Sequence, residues 1–122
     1  MIKLHPSLLP SLSFSPDEPV LLMKLESDQK LCFLAVTGAF LESGRKLEGV
    51  RLEISNWRDL QMHQESGSLS TLSEELADIC EFDLQEDSLR VAGFYRKAHG
   101  YLEMTFQEPT IEVLYVSDSP LA

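Results

Sequence analysis

Basic residues are scarce in this chain. Ten Lys and Arg stand against twenty Asp and Glu in 122 residues, a formal charge of -10. Surfaces that bind nucleic acid or anionic membrane need the opposite sign, so neither is an expected partner. Long apolar runs are missing as well: no stretch approaches the ~18–20 residues that span a bilayer. The opening residues, MIKLHPSLLPSLSFSP, are interrupted by Pro6, Pro10 and Pro16. They carry one Lys, and no small-residue cleavage site follows a continuous apolar core, unlike a secretory signal. The expected compartment is the cytoplasm. Cysteine is limited to Cys32 and Cys80, which form no CxxC pair. Both lie in apolar alternating stretches and read as buried thiols, with a disulfide between them left open.

Signatures of catalysis are equally sparse. His5, His63 and His99 are scattered, with no HxH or HxxxH spacing to place two imidazoles on one face. No GxSxG elbow supports a Ser–His–Asp arrangement, and Gly49, Gly67 and Gly93 are isolated and open no phosphate-cradling helix. Acids are plentiful enough for a glycosidase pair, but such clefts carry several aromatic platforms, and here there are one Trp and three Tyr. The chain is expected to use no metal and no cofactor, and not to be an enzyme.

What is present is a folded core. Hydrophobic residues make up 43% of the chain, too many for a disordered acidic tail. The length suits one domain, since two would each be too small to hold a core without metals or disulfides. Residues 1–19 hold four of the six prolines and read as an irregular leader; residues 20–122 read as a single domain. Period-two alternation dominates from there. Leu21, Met23 and Leu25 share a face, and Ser27 to Lys30 turns the chain into an apolar run from Leu31 to Val36. Val50, Leu52 and Ile54 alternate with Arg51 and Glu53. Residues 61–70 are polar and read as loose. Strands follow at Cys80 to Leu84, Leu89 to Tyr95, Tyr101 to Gln107 and Ile111 to Val116.

One helix is expected before them. Thr71 with Glu74 fits a capping box, and Leu72, Leu76 and Ile79 form a stripe at spacings of four and three. The expected fold is therefore α+β: a curved antiparallel sheet of six to seven strands with one helix packed against it.

Two features could carry function. Glu74, Glu75, Asp78, Glu81, Asp83, Glu86 and Asp87 fall within fourteen residues that contain no Lys, Arg or His. A solvated face that keeps the protein soluble would ordinarily mix charge signs. An unmixed run suits electrostatic capture of a basic partner. Trp57 follows a strand directly. It either caps the core, with its indole N–H bonded to a carbonyl, or serves as an exposed anchor beside the acidic surface.

The segments LEGVRLEISNWRDL, ELADICEFDL and LRVAGFYRKAHGYLEMTF, spanning about residues 45–116, resemble the small α+β immunity proteins of bacterial polymorphic toxin systems. The Immunity protein 50 family, with its single tryptophan after a strand, is the nearest likeness, and Trp57 matches that feature. The resemblance implies a cytoplasmic antidote that binds a cognate toxin domain and blocks it without chemistry. A basic nuclease would suit the acidic residues. Two rivals belong to other classes. One is a small ligand-binding or enzymatic β-barrel, with a pocket lined by His63 or His99 and two carboxylates. The other is an accessory or assembly subunit, for example of a secretion apparatus.

Overall fold

The computed structural model describes residues 1–14, 21–27, 29–35, 39–64, 74–95 and 101–120, and of 21–27, 35, 64, 74–80, 95 and 120 the backbone alone. The described residues form twelve strands: β1 (Ile2–Lys3), β2 (Leu21–Ser27), β3 (Lys30–Ala35), β4 (Ala39–Phe40), β5 (Arg45–Glu48), β6 (Val50–Ser55), β7 (Asp59–Gln64), β8 (Glu74–Leu84), β9 (Ser88–Tyr95), β10 (Tyr101–Gln107), β11 (Thr110–Tyr115) and β12 (Ser117–Pro120). A 3-10 segment, Pro6–Ser11, is the one helical element among the described residues. Nine strands form an antiparallel sheet in the order β1-β11-β6-β3-β2-β8-β9-β10-β7, and β12-β5-β4 form a smaller one.

This sheet cannot be flat. β6 and β7 are consecutive in sequence yet six strand positions apart, as are β10 and β11. Six spacings of about 4.8 Å would separate them by about 29 Å. The links 56–58 and 108–109 reach at most about 15 Å and 11 Å between the flanking strands. The sheet therefore curls until β9-β10-β7 faces β1-β11-β6, with β3, β2 and β8 as the wall between them. Each link contains a non-glycine residue in the left-handed region, Asn56 at φ 52° and Glu108 at φ 49°. Both are held by backbone bonds, Asn56 N–H to the Gln29 carbonyl at 3.0 Å and Glu108 N–H to the Asp87 carbonyl at 2.7 Å.

The core fills the space between the layers. Val50, Leu52 and Ile54 on one side meet Leu89, Val91, Leu102, Met104 and Phe106 on the other, all essentially excluded from water. The alternation expected for β6 and β10 is present in full, buried at every second residue. Residues read as an irregular leader also enter the core: Leu4, Leu9, Leu12 and Phe14 are buried, and Phe14 packs edge-on to Phe82 at 5.7 Å.

The expected helix is overturned. Among the described residues the structure is mostly antiparallel sheet with no helix of seven or more residues, and Glu74–Leu84 is a strand paired with β2 and β9. Thr71 and Leu72 lie outside the described residues. The cause of the misreading is visible in the register. β8 carries two irregularities, between Leu76 and Asp78 and between Ile79 and Glu81. Each adds a residue and reverses the parity of the strand. Positions 76, 79, 82 and 84 consequently oppose Tyr95, Gly93, Val91 and Leu89, every second residue of β9. A twice-bulged strand thus reproduces the three-residue spacing of a helix. The six to seven expected strands are also too few, because β1, β4, β5, β7 and β12 are short or polar. In particular, 59–64, which includes part of the segment read as loose, is a strand.

Candidate functional site

Cross-strand partners point to the same side of a sheet, so register assigns the outward residues of each layer. On the β8-β9-β10-β7 layer, Asp59, Gln61 and His63 of β7 stand beside Gln107, Thr105 and Glu103 of β10. These in turn stand beside Ser88, Arg90 and Ala92 of β9, and Arg90 and Ala92 oppose Asp83 and Glu81 of β8. Among the described residues this face carries Asp59, Glu81, Asp83 and Glu103 against Arg90 as the one Lys or Arg.

Arg90 organises its centre. Its guanidinium bonds Glu81, Glu103 at 2.9 Å and the Tyr101 hydroxyl at 3.2 Å. The hydrogen bond from Arg90 holds the Glu103 carboxyl below the usual carboxylate range, helped by Arg90's charge and by His63. Desolvation is the main reason the Tyr101 hydroxyl is pushed up. Beside this network Phe94 is 42% exposed and meets Tyr101 edge-on at 5.2 Å. The result is a braced, mostly acidic surface with an aromatic pair at one margin.

The turns at the opposite margin extend the charge. Glu86 and Asp87 are exposed in the β8–β9 turn and form no ion pair with a described residue. The bond from Glu108 N–H to the Asp87 carbonyl ties this turn to the β10–β11 link. Glu108 itself pairs with Arg58 at 3.2 Å.

The other outward face has the reverse balance. Glu53 and Glu112 are direct cross-strand partners, a juxtaposition of like charges that costs stability unless cations intervene. Lys30 at 2.9 Å and Arg51 at 3.5 Å neutralise Glu53, and Lys3 at 3.3 Å neutralises Glu112. A polar groove of about 370 Å³ lies there, lined by Lys30, Glu53, Ser55, Asn56, Thr110 and Glu112 among others. The Lys30 hydrogen bond lowers the Glu53 pKa despite partial burial. That shift is opposite to the one a general acid needs.

The sequence-derived candidates separate accordingly. Glu81, Asp83, Glu86 and Asp87 are exposed on the acidic face or its turn. Glu74, Glu75 and Asp78 fall in the first half of β8, where the backbone alone is described. Trp57 belongs to the core: it is 7% exposed and packs on Phe106 at 5.1 Å, the core-capping one of the two places its sequence context left open. A tryptophan in a three-residue link between layers has its indole next to the interior, where burial is most favourable. Cys32 is a buried thiol, and the Cys80 side chain lies outside the description.

Of the histidines, His5 Nδ1 accepts from Ser7 N–H at 3.1 Å. His63 is exposed on β7, and His99 lies outside the described residues. No group of three or more His, Cys, Asp or Glu that could hold a metal occurs among the described residues. Nor is any helix among them long and apolar enough to cross a membrane.

Sequence reasoning missed Asp59, Arg90, Phe94, Tyr101 and Glu103. Outward alternation in β9 and β10 could have indicated the last four, but their convergence depends on pairing. Comparison with family models, with curated proteins and with solved structures gave no match.

Proposed function

We propose that this chain is a binding protein that grips a basic protein partner with the outward face of β7–β10 and the acidic turn at its end. The observation that carries this reading is the segregation of charge between the two outward faces. Among the described residues, four carboxylates stand with one Arg on one face, and two carboxylates are matched by Lys3, Lys30 and Arg51 on the other. A solvated surface serving solubility has no reason to sort its charges by layer; a docking surface does, because complementary potential raises association rate and selects the partner's sign. The Arg90 network supports the same reading. It holds Glu81 and Glu103 in place before binding, which lowers the ordering cost of association.

With the resemblance to immunity proteins, the partner becomes a bacterial toxin domain intercepted in the cytoplasm. A nuclease suits best, since an enzyme that holds phosphates is basic around its active site. Occlusion of that site would suffice, with no reaction at the acidic face. The test is co-expression with a basic toxin domain encoded beside it, followed by titration calorimetry. The expected result is rescue of growth and a 1:1 complex whose affinity falls steeply with salt. A complex insensitive to salt overturns the charge reading, and binding to a structural component without any toxin supports an assembly subunit instead.

A further inference from the structure

Four strands form the outer edges of the two sheets, and three of them are protected. β1 is two residues long and carries Lys3. β4 is also two residues long, and its far side is occupied by Ser13, which exchanges backbone bonds with Phe40 at 2.8 and 2.9 Å. β12 has four residues and ends on Pro120. Short length, lysine, proline and a covering segment are the ordinary devices that stop an edge from recruiting another chain.

β7 has none of them. It runs for six residues, Asp59–Gln64, contains no Lys, Arg or Pro, and keeps register with β10 at all six positions without a bulge. Among the described residues no strand pairs with its other side. An edge of this length presents a row of backbone donors and acceptors ready for a further strand.

We infer that the β7 edge is where the partner docks, by adding an extended cationic segment as a tenth strand. This rests on the reading of the acidic face as the partner-binding surface and specifies how it is engaged. The residues flanking the edge select the occupant. Asp59, Gln61 and His63 point outward from β7 beside Gln107, Thr105 and Glu103, so a strand laid here brings alternate side chains next to Asp59, with Glu103 one strand further in and Glu81 and Asp83 on β8 acting only through their longer-range field. Lys or Arg at those positions is attracted. A second copy of this chain, itself of charge -10, is repelled by that net charge and offers no Lys or Arg from its own β7 to meet Asp59. Ladder hydrogen bonds supply affinity without regard to sequence, and the acidic face supplies the preference for a basic strand.

The experiment uses the full chain and two ten-residue peptides of equal charge, one alternating lysine with valine and one alternating lysine with proline. The second cannot donate a complete ladder. The expected result is at least about tenfold tighter binding of the lysine–valine peptide. Slowed amide exchange confined to 59–64 and the strands next to it should accompany it. Gln61→Lys, at an exposed position, should abolish that preference while leaving the fold unchanged. Equal binding of both peptides overturns edge docking and leaves the acidic-face reading standing. Failure of both to bind overturns the two together. Equally tight binding of a threonine–valine peptide keeps the edge and removes the charge preference, which sinks the cationic occupant. A dimer without peptide, protected at 59–64, assigns the edge to a second copy and overturns the inference.

Discussion

Gly49 and Val116 face each other at the point where one ladder leaves the large sheet for the small one. Leu114 pairs with Arg51 on one side of them and Ser117 with Glu48 on the other, in a single continuous register. Val116 N–H donates to the Glu48 carbonyl at 2.9 Å, closing the bend. Gly49 takes φ 65°, and a Cβ there would sit 2.7 Å from Val116 Cγ2. The ribbon therefore bends sharply without losing a residue, and only because one side of the crossing has no side chain.

Gly49→Ala should destabilise the fold by roughly 1–2 kcal/mol through the left-handed backbone alone, plus the contact with Val116. Adding Val116→Ala, at an exposed position, should relieve the Cγ2 contact and leave the backbone part, with the two Cβ atoms 3.1 Å apart. Urea midpoints of the single and double variants would separate the two. Full recovery in the double variant would show that the backbone conformation costs nothing.

Trp57 is the one tryptophan in the chain, and its packing on Phe106 makes it a clean reporter of the core. Native emission should be blue-shifted and insensitive to exposed-site quenchers. Trp57→Ala should cost about 3–5 kcal/mol, measured by denaturant unfolding followed by circular dichroism, with no selective loss of partner binding beyond that caused by unfolding. Red-shifted native emission would return Trp57 to the surface.

Glu53 predicts the acid limb of stability. Its pKa is lowered by the hydrogen bond and charge of Lys30 and by Arg51. It therefore stabilises the fold above the unfolded carboxylate value of about 4.3, and this contribution vanishes as pH falls through the lower folded value. Glu53→Gln should lower stability near neutral pH and flatten the loss below pH ~4.3. Parallel acid limbs in the two proteins would contradict the assignment.

Charge reversal belongs at Glu86 and Asp87, since Asp83 is the direct cross-strand partner of Arg90. At Glu81 a lysine would be forced against Arg90 and would disturb the network as well as the field. The double change to Lys at these two exposed positions should leave folding within about 0.5 kcal/mol per site. Partner affinity should weaken by at least about tenfold at low salt, and the salt slope should become shallower. An unchanged association rate would sever the acidic turn from recognition.

Strand alternation was legible wherever one face of a strand meets the core, as in Val50–Ile54 and Tyr101–Gln107, because burial imposes a period of two on the residues themselves. The excess of acid and the scarcity of catalytic motifs were legible too, since composition needs no geometry. The β8 segment was not: two added residues turn a strand's spacing into a helix's, and whether such a backbone is satisfied depends on β2 and β9, which come from distant parts of the chain. The acidic site was only half visible for the same reason. Glu86 and Asp87 announce themselves as neighbours in sequence, but Glu81 and Glu103 meet around Arg90, and Asp59 joins their face, through pairings across up to forty-odd residues. The buried place of Trp57 follows from a curl that brings β6 and β7 within reach of a three-residue link. Local pattern determines which residues prefer to be inside; closure of the sheet alone decides which outward residues share a surface.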